Sequence, residues 1–114
     1  MYDSLIISKK IKKTLEYVDK ITINYSHEYK YLKNNINSSF FYLLELSYKA
    51  SIFKDIDSMK EMIVKVKIID FYIKKSLDYK LISFKKFINI GEYLLELTKM
   101  INVWIKNEKE RQSI

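Results

Sequence analysis

The sequence predicts an all-α fold, an antiparallel up-down-up-down four-helix bundle occupying one domain from 1 to 114, and three observations predict it. Apolar residues recur at spacings of three and four along most of the chain, the mark of helices that each bury one stripe. A single glycine and no proline in 114 residues leave almost no chemistry for tight hairpins or phosphate loops. At 48% hydrophobic residues, a chain of this length can bury a core without disulfide or metal staples.

The first segment, about residues 3 to 24, carries Ile7, Ile11, Leu15, Val18 and Ile21 on one stripe, with Lys9, Lys13, Glu16 and Lys20 mostly opposite. A second runs from about Glu28 to Ala50 through Leu32, Ile36, Phe40, Leu43 and Ser47. The third, about Ser58 to Asp78, uses Met59, Met62, Val66, Ile69 and Ile73, and Ser58 with Glu61 has the spacing of a capping box. A fourth runs from Phe84 to about Lys109, with Ser83 placed to cap its first turn. Short loops near residues 24 to 27, 51 to 57 and 79 to 83 make consecutive helices antiparallel neighbours.

Helices two and four carry more apolar surface than one core needs. Phe40 to Leu44 with Leu46 and Tyr48, and Tyr93 to Leu95 with Leu97, Met100, Ile101 and Val103 to Ile105, surround most of a helix. Such a surplus points to self-association. Phe41, Leu94 and Trp104 are the interface or packing candidates, Trp104 as an anchor between helices because a rigid ring with one N–H suits a partly buried edge.

Lysine and arginine number 21 against 14 aspartates and glutamates, a net charge of +7 that implies acidic partners, nucleic acid first among them. Lys60, Lys67 and Lys74 recur every seven residues on the third helix, and Lys99 and Lys106 repeat that interval on the fourth. Lys9, Lys10, Lys12 and Lys13 form a denser cluster near the N-terminus. Lysines so placed can neutralise phosphates and release counterions, giving affinity without sequence readout. The nucleic-acid candidates are Lys9, Lys10, Lys12, Lys13, Lys67, Lys74, Lys99 and Lys106. Against that reading, Asp70 stands at helical pairing distance from Lys67 and Lys74, and charge runs are usually solvated faces. Several tyrosines can stack on unpaired bases, although aromatics at helical spacing more often belong to a core.

Catalysis finds little support. His27 is the only histidine, so no histidine pair holds a metal, and Asp55 with Asp57 suits a helix N-terminus better than magnesium. No cysteine is present, which removes thiol chemistry and fits a reducing cytoplasm. The short apolar Leu5-Ile6-Ile7 precedes the lysines, unlike a secretory leader, and no apolar run nears the roughly 18 residues of a membrane span. The expectation is a cytoplasmic, non-enzymatic protein with no cofactor, no metal and no membrane partner.

The stretch from Ile69 to Lys106 adds a resemblance. Phe71-Tyr72-Ile73-Lys74 closes one helix, Leu77-Asp78-Tyr79-Lys80-Leu81-Ile82-Ser83 forms the turn, and Met100-Ile101 with Trp104-Ile105-Lys106 closes the next. In order and chemistry this resembles the C-terminal half of the accessory variability determinant (Avd) proteins of diversity-generating retroelements, and Tyr42 to Leu46 is similar to the centre of that family's second helix. The chain departs from the family at Asp70, where a basic residue is usual, and at Asn24, where the first turn usually has proline. The resemblance implies a small basic four-helix bundle that forms a homo-oligomer, a pentameric barrel. Such a protein docks a reverse transcriptase and holds template RNA during mutagenic reverse transcription. Alternatives are the related four-helix protein encoded in intervening sequences of large-subunit ribosomal RNA genes, and a structural bundle that binds protein alone.

Overall fold

Ile7, Ile11 and Val18 share one stripe of the first helix and are fully buried, while Lys9, Lys13, Glu16 and Lys20 on the other side stand in solvent. The computed structural model describes residues 4–114, and over them the same division recurs in four helices: α1 (Ser4–Thr22), α2 (Lys30–Phe53), α3 (Ile56–Asp78) and α4 (Phe84–Gln112). A 3-10 turn at His27–Tyr29 leads into α2, and no strand occurs among the described residues. Each helix packs on its neighbours in sequence, and α1 closes the ring against α4; α1 and α3 stand diagonally across the core, as do α2 and α4. The result is the antiparallel four-helix bundle, 52 × 22 × 19 Å.

The core runs the length of the molecule through Phe40, Leu43, Met62, Ile69, Ile90 and Leu97, with Trp104 near the end. Burying a side chain of this kind contributes about 1.5 to 3 kcal/mol, the main force holding the helices together. Small hydroxyl residues share the buried stripes. Thr14 donates to the carbonyl of Lys10 at 2.7 Å, Ser47 to that of Leu44 at 2.6 Å and Ser76 to that of Tyr72 at 3.1 Å, so each is satisfied within its own helix.

The corners are built without glycine or proline. Lys54 closes α2 in the left-handed region at φ 54°, and Lys80 follows α3 at φ 60°. Around Lys80, the amide of Leu81 reaches back to the carbonyl of Ser76 at 2.9 Å, which satisfies a helix-end acceptor. Because α2 runs on to Phe53, the expected loop over 51 to 57 contracts to Lys54 and Asp55. Asp55, rather than a Ser58–Glu61 box, caps α3: its carboxylate accepts from the amide of Asp57 at 3.2 Å and from the hydroxyl of Ser58 at 2.6 Å. Glu61 is engaged elsewhere, accepting from the Tyr42 hydroxyl at 2.6 Å. Ser83 caps α4 as its position predicts, accepting from the amide of Lys86 at 3.2 Å.

At the far end of α4, Glu108 is buried and accepts from both Arg111 and Gln112. Gln112 also donates to the carbonyl of Lys54 at 3.0 Å, tying the end of α4 to the α2–α3 corner.

Candidate nucleic-acid interface

Lys60, Val64, Lys67, Phe71 and Lys74 follow one another at steps of four and three along α3, so they form a single outward stripe in which cation and apolar group alternate. All five are exposed, Val64 at 57% and Phe71 at 54%. Seven residues of helix advance about 10.5 Å, which spaces the three ammonium groups over about 21 Å. On α4, Leu95, Lys99, Asn102 and Lys106 make a matching exposed stripe.

Antiparallel packing sets the two helices side by side. Lys67, Asp70, Gly91, Leu95 and Thr98 line one shallow groove between α3 and α4, and Lys99, exposed on α4, follows Thr98 about 100° further round that helix. At the end of the bundle Lys60 and Lys109 line a second depression with Asp55 and Asp57, one turn from Lys106. Lys67, Lys74, Lys99 and Lys106 are all exposed on two helices that pack against each other, with Lys67 on the rim of the groove between them. None of them has a carboxylate within 4.0 Å, since the ion pairs found among the described residues are Lys10–Glu96 and Glu108–Arg111. Asp70, flanked on α3 by Lys67 and Lys74, stays out of ion-pair range of both.

The N-terminal lysines are not one patch. Successive helical residues differ by about 100° in direction, and Lys9 and Lys13 point outward while the other two turn to opposite neighbours. Lys10 reaches α4, with its Nζ 3.0 Å from a Glu96 carboxylate oxygen and 4.7 Å from the Tyr93 ring centre. Lys12 reaches α2 and lies 5.7 Å from the Tyr48 ring centre. With α1 diagonal to α3, one flat ligand cannot cover both the Lys9–Lys13 pair and the α3 stripe.

The packing candidates divide as well. Leu94 and Trp104 are buried inside the chain at 3% and 7% exposure, whereas Phe41 is 61% exposed and free for an assembly contact. Most of the apolar surplus of α2 and α4 is consumed within the bundle, leaving Phe41, Tyr42, Tyr48, Leu95 and Val103 outside. Among the aromatics, Tyr25 is core, Tyr29 packs 5.3 Å from Tyr79, and Tyr31 remains exposed.

Val64 and Phe71 escaped the sequence reading as part of a surface stripe, although their interval to the flanking lysines carried the signal. Glu108 gave no such signal. Its carboxyl is held below the ordinary range by the Arg111 guanidinium, and Asp55 is held low by the Ser58 hydroxyl; both act as structural acids. No cluster of three or more possible metal ligands occurs among the described residues, and no helix there is long and apolar enough to cross a membrane. No protein-family model matches the chain, and no curated protein or solved structure does so either.

Proposed function

We propose that this chain is a non-catalytic bundle that holds nucleic acid against its α3–α4 side. The observation that supports the reading is the set of exposed lysines without ion-pair partners among the described residues, Lys67 and Lys74 on α3 and Lys99 and Lys106 on the adjoining α4, interleaved with exposed Val64, Phe71 and Leu95. Ammonium groups compensate phosphate without reading bases, and the apolar members offer a surface on which unpaired bases stack. Phosphate is preferred to carboxylate partners because the lysines recur regularly, every seven residues, along each helix.

The finer reading rests on the sequence resemblance: an accessory subunit of a diversity-generating retroelement, assembled as a ring, most simply a pentamer, that presents template RNA to a reverse transcriptase. Light scattering at micromolar concentration tests the ring, and a strictly monomeric mass contradicts it. A neighbouring reverse-transcriptase gene with paired template and variable repeats supports the retroelement assignment; an insertion within ribosomal RNA redirects it to the intervening-sequence protein. Titrating labelled single-stranded RNA at rising salt tests the binding itself, which weakens steeply with salt on this reading.

A second reading, a bundle that docks protein, is favoured by Phe41, Tyr48 and Ile52 along one side of α2, exposed at 61%, 43% and 70%. RNA binding that is absent at low salt leaves this second reading in place.

A further inference from the structure

Between α1 and α4, on a different side of the bundle from the lysine rows, Tyr17, Asn89, Glu92, Tyr93 and Glu96 line an open cleft of about 330 Å³. The Tyr17 and Tyr93 rings lie 5.2 Å apart, and the Asn89 side-chain amide donates to the Tyr17 hydroxyl at 3.3 Å, which fixes that wall. Glu92 and Glu96 stand one helical turn apart and bracket Tyr93. The chain's own Lys10 packs against two of these residues, its ammonium 3.0 Å from Glu96 and 4.7 Å from the Tyr93 ring centre. The cleft is thus shaped to take a cation over an aromatic face, and Lys10 demonstrates the fit.

Lys10 leaves the site half-used. An ammonium is a point charge and pairs with Glu96 alone; Glu92 is exposed and has no ion-pair partner within 4.0 Å among the described residues. A guanidinium is planar, stacks on a ring and carries five N–H donors able to fork between two carboxylates. We infer that this cleft is a recognition site for an arginine side chain presented by a protein partner, which takes the place of Lys10 over Tyr93 and bridges Glu92 and Glu96. Charge favours such a guest locally, because two carboxylates and no lysine or arginine line the cleft on a chain that is otherwise strongly basic.

The test titrates the full chain with a short glycine-flanked peptide carrying one arginine, alongside its lysine and citrulline counterparts, following the Tyr17 and Tyr93 ring signals by NMR. The arginine peptide shifts both rings, the lysine peptide binds more weakly and the neutral citrulline peptide does not bind. Lys10→Met keeps the aliphatic stem, removes the internal competitor and tightens arginine binding by about tenfold, whereas Glu92→Gln, at an exposed position, weakens it by several fold. Equal binding of the citrulline peptide, no gain in Lys10→Met with helicity intact, or no loss in Glu92→Gln each overturns the assignment. Because the readout uses no nucleic acid, its failure is separate from any failure of the α3–α4 reading.

Discussion

Lys67 and Lys74 stand seven residues apart on α3 and share one face, whereas Lys9, Lys10, Lys12 and Lys13 fall within five residues on α1 and point three ways. The denser cluster is the one whose charges are divided among different neighbours. Lys10 is half-buried and paired, and Lys12 lies against a tyrosine ring, while the α3 lysines have solvent around them and a second row on the adjoining α4. The comparison teaches that spacing in helical turns, together with which neighbour a helix packs on, decides whether lysines share a face; local charge density alone does not.

Both regions hang on the same core, so the largest effect comes from damaging it. Trp104→Ala should cost about 3 to 5 kcal/mol by leaving a cavity beside Ile101, lowering the urea midpoint and disturbing both lysine regions together. If that variant keeps its stability and loses only RNA affinity, Trp104 meets ligand and its core assignment is wrong.

Acid comes next. Asp55 and Glu108 have folded-state pKa values below their ordinary 3.8 and 4.5, so each contributes stability that is complete above those values and is lost as pH falls through the lowered ones. Urea midpoints should fall on acidification through that window, and Asp55→Asn with Glu108→Gln should flatten the fall. An unchanged pH profile in the double variant contradicts the role given to these carboxylates.

Ser83→Ala should cost about 1 kcal/mol, because the first turn of α4 loses the acceptor for the Lys86 amide. The smallest effect is a gain. Gly91 lies in the α3–α4 groove beside Lys67, has no positive φ, and an added Cβ there meets nothing within 4 Å. Gly91→Ala should therefore stabilise by about 0.5 to 1 kcal/mol while leaving RNA affinity unchanged, separating groove shape from lysine charge. Lost affinity in this variant places ligand inside the groove rather than along its lysine rims.

The helices and their buried stripes were legible because apolar period reports directly on burial, and Ser83 was legible because a hydroxyl before a helix start has one common use. Asp55 and Ser58 show the limit: both can cap, and the extension of α2 to Phe53 decides between them by bringing Asp55 to the helix start. Lys54 and Lys80 adopt left-handed backbone that a sequence reader assigns to glycine or asparagine. Lys67, Lys74, Lys99 and Lys106 were legible as exposed helix positions at seven-residue spacing, but how the α3 pair sits relative to the α4 pair depends on the register of α3 against α4. The inward turn of Lys10 depended on which helix closes against α1, information carried by tertiary contacts and absent from local pattern.

The most direct measurement is the salt dependence of single-stranded RNA binding by the native chain, by Lys67→Glu/Lys74→Glu and by Lys9→Glu/Lys13→Glu, with helicity and oligomer mass checked for each. These pairs change net charge equally, so nonspecific attraction alone treats them alike. The α3–α4 account predicts that the first pair loses much more affinity and flattens the log-log salt slope by about 1.4, two phosphate contacts at about 0.7 each. Equal losses in both pairs, or a larger loss from Lys9 and Lys13, contradict it.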